Sequence, residues 1–255
     1  MKVFATTSSL GTLAVRRGQE ACVPAVKAAG CDGIEIRREL FKEHPPDLSA
    51  LKRRIQDERL VSAYSAPVEL WNPNGSLNAE MLDIIVPEAL ALEAAWLKVS
   101  LGHYRPGQSD LAELERYWSR HVPKESALKL TVENDQTPHG GDVRKLQRFF
   151  EDCREAGLPV GMTFDAGNWH WTGWDGVEAA EALRPYVVYI HLKHVETVNG
   201  DTVTVPLPEE AGSGWRRIVA LLPRDVPRAI EFPVDGGGED TVEALRRYAA
   251  MIAQA

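Results

Sequence analysis

The sequence predicts an α/β fold in which eight βα units close into a single (β/α)₈ barrel. Short runs of Val, Ile, Leu and Phe alternate with segments of helical period along the chain, a pattern typical of a parallel sheet covered by helices. Eight such runs are present, so the sheet is predicted to close, and 255 residues suit one barrel of ordinary size. Residues 1–255 are therefore expected to form one TIM-barrel domain.

Each predicted strand is a short apolar run of the kind that a buried parallel strand requires. In chain order the predicted strands are residues 3–7, 33–37, 61–65, 96–101, 129–133, 160–165, 187–191 and 229–232. Between them, Asn78, Asp110 and Asp142 precede apolar residues at helical spacing and are predicted to be helix N-caps. Gly30 and Gly157 are predicted to end two helices, because glycine readily adopts the left-handed backbone found there.

The composition indicates a soluble globular protein whose partner is a small molecule. The formal net charge is −8, with 37 acidic and 29 basic residues, which argues against binding to nucleic acid. No apolar run approaches the length of a membrane span, and the first residues resemble a strand rather than a signal peptide. The cysteines Cys22, Cys31 and Cys153 are widely separated, so we expect reduced, buried thiols in a cytoplasmic protein.

Three glycines at 236–238 follow the last predicted strand, where barrels often bind a phosphate on loop amides. Asp235, Glu239 and Asp240 flank the glycines and would repel a phosphate. A plain turn is therefore the favoured interpretation of this segment.

Four successive predicted strands end at a residue that can bind a divalent metal. These residues are Glu133, Asp165, His191 and Glu231. Because the C-terminal ends of barrel strands converge at one mouth, we expect the four side chains to reach a single ion. Each residue alone has an ordinary structural explanation, but the same position on four strands favours a metal site. Three carboxylates and one imidazole favour Mn²⁺, with Mg²⁺, Co²⁺, Fe²⁺ or Zn²⁺ as alternatives.

Five segments of the sequence resemble those of a known family. They are G-I-E-I-R (33–37), V-E-N (132–134), F-D-A-G-N-W-H-W (164–171), Y-I-H-L-K (189–193) and I-E-F (230–232). They are similar to the sugar isomerase/epimerase group of xylose isomerase-like TIM barrels, which includes ketose 3-epimerases, hydroxypyruvate isomerases and inositol-catabolism enzymes. The resemblance implies a metal held by a Glu, Asp, His and Glu from strands five to eight, which matches the four strand-end residues.

The resemblance also implies that Glu133 and Glu231 are both metal ligands and the catalytic acid/base pair. A divalent ion that chelates a carbonyl and its neighbouring hydroxyl would acidify the α C–H and stabilise an enediolate. Proton return to the same carbon gives epimerisation and return to the adjacent carbon gives isomerisation, and the sequence leaves both open. The expected substrate is a small sugar, sugar phosphate or related polyhydroxy carbonyl compound. A homo-oligomer is compatible with the sequence.

Other activities occur on the same scaffold. The first alternative is a metal-dependent dehydratase, in which an enolate expels a β-hydroxyl as water. A hydrolase similar to endonuclease IV is less favoured, because strands two and three carry Glu35, Arg37, Tyr64 and Ser65 where that group needs histidines. A non-catalytic sugar-binding module is disfavoured by the complete set of four ligands.

Six further residues are candidates for substrate binding: Glu35, Arg37, Asn168, Trp169, His170 and Lys193. Glu35 and Arg37 alternate with isoleucines, so both charges should face one side of strand two as an ion pair near the substrate. Lys193 should point to the same side as His191, to bind a substrate oxygen or stabilise a carboxylate. Asn168 stands where ketose epimerases tend to place a histidine, which argues against a simple transfer of their substrate. Trp169 and His170 are expected to contact a sugar.

Overall fold

Eight parallel strands close around a common interior in the computed structural model, which describes residues 1–42, 46–234 and 240–255. Around the barrel each strand pairs with its neighbours in chain order, and the last barrel strand closes on the first. The strands are β1 (Val3–Thr6), β2 (Gly33–Arg37), β3 (Val61–Trp71), β4 (Trp96–Gly102), β5 (Lys129–Glu133), β6 (Gly161–Asp165), β7 (Val187–Leu192), β8 (His194–Val198), β9 (Asp201–Val205) and β10 (Arg228–Ile230). The predicted (β/α)₈ barrel is thus confirmed, with β10 as its eighth strand.

Helices cover the outside of the barrel and alternate with its strands. They are α1 (Gly11–Arg17), α2 (Cys22–Ala28), α3 (Ser49–Asp57), α4 (Ala79–Ala91), α5 (Leu111–His121), α6 (Val143–Glu155), α7 (Trp169–Thr172), α8 (Gly176–Leu183), α9 (Gly214–Leu221) and α10 (Thr241–Ala253). Short 3₁₀ turns occupy Thr7–Leu10, Gln19–Ala21, Arg38–Leu40 and Arg184–Tyr186. Among the described residues, no helix is both long and apolar enough to span a bilayer.

The predicted helix ends agree with the structure. The side chains of Asn78, Asp110 and Asp142 accept backbone N–H groups in the first turns of α4, α5 and α6. Gly30 and Gly157 lie just beyond helices with φ angles of 83° and 73°, in the left-handed region. The predicted turn at 236–238 lies outside the described residues.

Strand β3 is longer than predicted. The predicted strand ends at Ser65, yet the strand continues to Trp71 and includes Pro67, which has no backbone N–H to donate. The register with β4 shifts between Ser65 and Glu69, so the proline falls in an irregular stretch where the ladder is already interrupted. The bulge carries Glu69 and Trp71 on towards the mouth of the barrel.

Strands β8 and β9 form an antiparallel hairpin that the sequence analysis missed. Asn199 and Gly200, between the two strands, have φ angles of 54° and 91°. Asn-Gly between alternating residues is a strong signal for such a hairpin, because both turn residues need a positive φ. The hairpin begins directly after Lys193 and therefore lies beside the mouth of the barrel.

Aromatic rings fill the lower interior of the barrel. Phe4 and Tyr189 are buried with ring centroids 5.7 Å apart, and Trp96 stacks on Tyr189 at 5.5 Å. Gly33 of β2 borders this cluster, and a Cβ atom there would lie only 2.3 Å from the Phe4 ring. The absence of a side chain at Gly33 lets the phenyl ring occupy the axis. Polar side chains lie in the same interior nearer the mouth.

Candidate metal centre

Four side chains from four neighbouring strands meet at the mouth of the barrel. Glu133 ends β5, Asp165 ends β6, His191 lies in β7, and Glu231 follows β10. One potential ligand atom from each lies within 4.8 Å of the corresponding atoms of the other three. Asp165 and His191 are fully buried, while Glu133 and Glu231 border the cavity above them. The side chains expected to share one ion are therefore close enough to do so.

The imidazole of His191 lies between the buried carboxylate of Glu35 and the carboxylates of Glu133 and Glu231. Its Nε2 lies 2.7 Å from Oε2 of Glu35, which reaches across the interior from β2. Its Nδ1 lies 2.9 Å from Glu133 Oε1 and 3.2 Å from Glu231 Oε2. A hydrogen bond from Nε2–H to Glu35 leaves the Nδ1 lone pair for a metal. Glu35 thus contacts His191 and is completely buried, rather than lining the open cavity.

Asp165 is held by the loop that follows it. Its Oδ1 accepts the backbone N–H groups of Gly167 and Asn168, both at 2.8 Å. Asn134 pairs with the backbone of Asp165 through both ends of its amide, at 2.8 and 2.9 Å. The Asn168 amide in turn donates to the carbonyl of Asn134 at 2.7 Å. These bonds explain why V-E-N and F-D-A-G-N occur together, since they fix the ends of β5 and β6 and direct Oδ2 of Asp165 into the cluster.

Three cations surround the carboxylates. Lys98 of β4 contacts Glu133 Oε2 and is buried. Arg37 contacts Glu231 Oε1 and lies 3.3 Å from Glu35, so the predicted ion pair in strand two is present. Lys193 Nζ lies 2.9 Å from Glu231 Oε2. Each cation therefore already has a carboxylate partner.

The surrounding charges lower the pKa values of the two glutamates. Burial raises the pKa of Glu133, but Lys98 and His191 outweigh it and hold the value at about 2. Burial also acts against ionisation of Glu231, yet Lys193 and His191 lower its pKa well below the usual range. Both side chains are therefore ionised at neutral pH and able to accept a proton.

The pKa values of the other two members of the cluster, Asp165 and His191, are raised. Burial raises the pKa of Asp165 to about 7, with Lys193 opposing the shift and Glu231 adding to it. Burial would lower the pKa of His191, but Glu35 and Glu231 raise it well above its ordinary value. The raised pKa of His191 shows that the surrounding carboxylates attract positive charge, which a divalent ion would also supply.

The unsatisfied atoms of the cluster fit a divalent metal. Glu133 Oε1, Asp165 Oδ2 and His191 Nδ1 are buried and make no hydrogen bond to the described residues. Lys193 Nζ approaches Asp165 Oδ2 to 2.7 Å without hydrogen-bonding geometry. Buried polar atoms are seldom left without partners, so three that face one point fit the coordination of a shared cation. Three carboxylates and one imidazole suit a hard or borderline ion.

The cavity above the cluster has a volume of about 440 Å³, and Glu133, Glu231, Arg37, Lys193 and Asn168 all line it. Asn168 is only 4% exposed, and its amide is already bonded within the loop. Trp169 is buried against Phe164, with ring centroids 5.5 Å apart. Both Trp169 and the exposed His170 line a separate cleft on the hairpin side of Lys193. The six candidates for substrate binding are thus divided between the cavity, the interior and this cleft.

Lys98 is the main residue of the cluster that the sequence analysis missed. It sits in the run W-L-K-V-S-L of β4, and it is 3% exposed. A lysine is almost never fully buried without a partner. Its position within an otherwise apolar strand was a usable signal that a carboxylate lies opposite.

The chain matches one protein family, described as xylose isomerase-like TIM barrel, over residues 23–249. No curated protein matches the sequence. Several solved structures share the fold at low identity. A xylose isomerase domain containing protein from Salmonella typhimurium has 15% identity and a TM-score of 0.72, with 100% of this chain and 97% of that chain covered.

Two other similar structures differ from each other in their named activities. D-allulose 3-epimerase from Methylomonas sp., solved with D-allulose, has 15% identity and a TM-score of 0.64, and covers 100% of this chain and 96% of its own. The probable 3-DHS dehydratase AsbF from Bacillus anthracis has 15% identity and a TM-score of 0.65, and covers 99% of this chain and 98% of its own. At such identities these likenesses establish the shared fold.

Proposed function

The chain belongs to the xylose isomerase-like TIM barrel family, and from that premise we propose that it is a divalent-metal-dependent isomerase or epimerase of a small sugar-like polyhydroxy carbonyl compound. The observation that carries the proposal is the convergence of Glu133, Asp165, His191 and Glu231, in which three buried ligand atoms form no hydrogen bond to the part of the chain that the structure describes. The similarity in fold to sugar epimerases supports it.

The four strand-end residues would hold the metal, and Mn²⁺ suits them best by the number of oxygen ligands. When bound, the ion would polarise a substrate carbonyl and so acidify the neighbouring C–H. Glu35 would keep His191 oriented with Nδ1 towards the ion. Lys98 and Arg37 would hold the glutamates in place.

Glu133 and Glu231 are the proposed acid/base pair. They lie on either side of His191 Nδ1, at 2.9 and 3.2 Å, and both face the cavity. Their low pKa values keep them ionised, so either can remove a proton from the carbon beside the carbonyl. The other glutamate would return the proton. Return to the same carbon on the opposite face gives an epimer, and return to the adjacent carbon gives an isomer.

A metal-dependent dehydratase is the second candidate. The similarity in fold to AsbF favours it, at the same 15% identity as D-allulose 3-epimerase. Both reactions start with removal of a proton beside a carbonyl. In the dehydratase the intermediate expels a β-hydroxyl as water, so the products differ although the first step is shared.

The test uses the Mn²⁺-loaded protein in D₂O with a panel of ketoses, sugar phosphates and inososes. An isomerase or epimerase replaces a carbon-bound hydrogen by deuterium without loss of water, which NMR and mass spectrometry both detect. A dehydratase yields a product that has lost water. Absence of exchange with every compound, in a protein shown to be loaded with metal, would contradict the proposal.

A further inference from the structure

A second group of metal-binding side chains lies at the mouth of the barrel. Glu69 belongs to β3, His103 follows β4, and His139 lies between β5 and α6. Their potential ligand atoms all lie within 4.8 Å of one another, and each side chain is between 26% and 34% exposed. None of the three belongs to the centre formed by the strand-end residues. The group is thus accessible from solvent yet already assembled.

The backbone brings Glu69 and His103 together by close packing. Gly102, just before His103, has a φ angle of 69°. A Cβ atom at Gly102 would lie 2.7 Å from the Cβ of Glu69 and 2.4 Å from the carbonyl oxygen of Trp71. The His103 N–H donates to that same carbonyl at 2.9 Å. Only a residue without a side chain permits this approach, so the position of the two ligands is set by the bulged end of β3 and by Gly102.

A tight turn positions His139. Asp135 Oδ1 accepts the N–H of Thr137 at 2.7 Å and its hydroxyl at 2.6 Å. The N–H groups of Gly140 and Gly141 donate to the hydroxyl and carbonyl of Thr137, both at 2.9 Å. These bonds fix the residues on both sides of His139. The imidazole therefore reaches Glu69 from a loop whose backbone is held by its own hydrogen bonds.

The distances match those expected between ligands of one ion. His139 Nε2 lies 2.7 Å from Glu69 Oε1, and His103 Nε2 lies 3.7 Å from Glu69 Oε2. Ligands on a tetrahedral Zn²⁺, bound at about 2.1 Å, are separated by roughly 3.4 Å, and the two distances straddle that value. The two imidazole rings stack with centroids 4.0 Å apart and an interplanar angle of 24°. A simple His139–Glu69 hydrogen bond does not explain why His103 points to the same carboxylate from beyond hydrogen-bond length.

We propose that Glu69, His103 and His139 form a second metal site, selective for Zn²⁺ or a similar borderline transition metal. Two imidazoles and one carboxylate make a more nitrogen-rich set than the first centre, which has one imidazole and three carboxylates. Three protein ligands leave at least one coordination position open. Glu69 also lines the 440 Å³ cavity above Glu133 and Glu231, so the second ion lies on the wall of that cavity. An oxygen atom of a molecule bound in the cavity can fill the open position.

The site is tested by counting metal ions with Zn²⁺ alone as the probe. The whole protein is dialysed to equilibrium against Zn²⁺, and bound zinc is measured by elemental analysis. We expect two ions per chain in the unaltered protein and one in His103→Ala and His139→Ala. His121→Ala is the matched control, because this exposed histidine at the end of α5 is in neither group, and it should retain two.

A second measurement separates the two sites. In His191→Ala the strand-end centre is disabled, so the remaining Zn²⁺ should disappear when His139→Ala is added. Titration with Co²⁺ should give a visible absorption band from the second site that His139→Ala removes and His121→Ala retains. Circular dichroism checks that each variant is folded. An ion count that is the same in folded His103→Ala and His139→Ala as in the unaltered protein would overturn the proposal, and this result does not depend on the proposed reaction.

Discussion

Glu35 of β2 and His191 of β7 meet across the interior of the barrel, with Glu35 Oε2 2.7 Å from His191 Nε2 and neither side chain exposed. Burying a carboxylate is costly unless it is paired, and Lys98 and Arg37 supply the nearest positive charges. The pair therefore fixes both the orientation of the imidazole and the nitrogen that it offers to the mouth. Three predictions concern this site, one concerns the buried cysteines and one concerns the floor of the barrel.

We expect Glu35→Gln to weaken Mn²⁺ binding by about 10- to 100-fold, because partners of metal-bound histidines have effects of this size. A glutamine is nearly isosteric but lacks the charge that orients and polarises the imidazole. Competition with a chelator measures the affinity. Glu181→Gln, on the exposed surface of α8, serves as the control and should bind like the unaltered protein. An unchanged affinity in Glu35→Gln would remove the role of this pair in metal binding.

His191→Ala and Glu231→Gln should fail in different ways. The first loses a nitrogen ligand and should lose most of its bound Mn²⁺. The second keeps an oxygen ligand but cannot accept a proton, so it should retain metal while deuterium exchange falls by about 10²- to 10⁴-fold. Metal content and exchange rate are measured on the same samples. Equal loss of metal from both variants would leave Glu231 as a ligand only.

Lys193→Met should destabilise the metal-free protein by about 3 kcal/mol, because it removes the cation beside two buried carboxylates, Asp165 and Glu231. Added Mn²⁺ should restore part of the loss by supplying positive charge at the same place. Urea unfolding with and without metal gives both values. Lys124→Met changes an exposed lysine and should have little effect in either condition. If the two variants behave alike, Lys193 does not neutralise the cluster.

The three cysteines should resist alkylation. Burial raises the pKa values of Cys22, Cys31 and Cys153 to about 12. At pH 8 the thiolate fraction is then roughly 10⁻⁴, about a thousandfold below that of a free cysteine with a pKa near 8.5. Because the folded state retains these protons, the free energy of unfolding should fall as pH rises through about 8.5 towards 12. Rapid labelling of the folded protein by a thiol reagent at pH 8 would contradict the burial.

Gly33→Ala should destabilise the fold by about 1–3 kcal/mol, because its Cβ would enter the space of the Phe4 ring, 2.3 Å away. Gly11→Ala is the matched control, because no described residue outside its own turn lies within 4 Å of a Cβ there, and the backbone is already helical. Thermal unfolding measures the stability of both variants against that of the unaltered protein. Phe4→Leu combined with Gly33→Ala should recover stability relative to Gly33→Ala alone if the clash is the cause.

Much of the barrel is predictable from the sequence because buried parallel strands need continuous apolar runs. Strands β2 and β5 match their predicted bounds, and the others differ mainly at their ends. The bulge in β3 was not predictable, since Pro67 normally ends a strand and only its neighbours in space explain why this one continues. The Asn199–Gly200 turn, by contrast, carried a signal in the sequence that was overlooked.

The strand-end residues were identifiable because strand ends in a barrel converge by geometry. The role of Glu35 could not be identified from the sequence, because its partner His191 is 156 positions away and lies on a strand that does not neighbour β2 in the barrel. Likewise, Glu69, His103 and His139 come from three segments with no common motif. Their proximity depends on the bulge and on Gly102, which are properties of the folded backbone.

Among the described residues, Phe4, Trp96 and Tyr189 form an aromatic floor that fills the barrel interior below the strand-end residues. A molecule bound at the strand-end residues would enter and leave through the cavity above them. Substrate and product would therefore share this cavity, so the product has to dissociate before the next substrate binds. Access to the mouth depends on the loops around it, but the floor also reaches the site, because the Tyr189 ring lies 5.0 Å from the His191 ring. A substitution in the floor is therefore expected to displace a residue of the metal centre as well as to destabilise the fold.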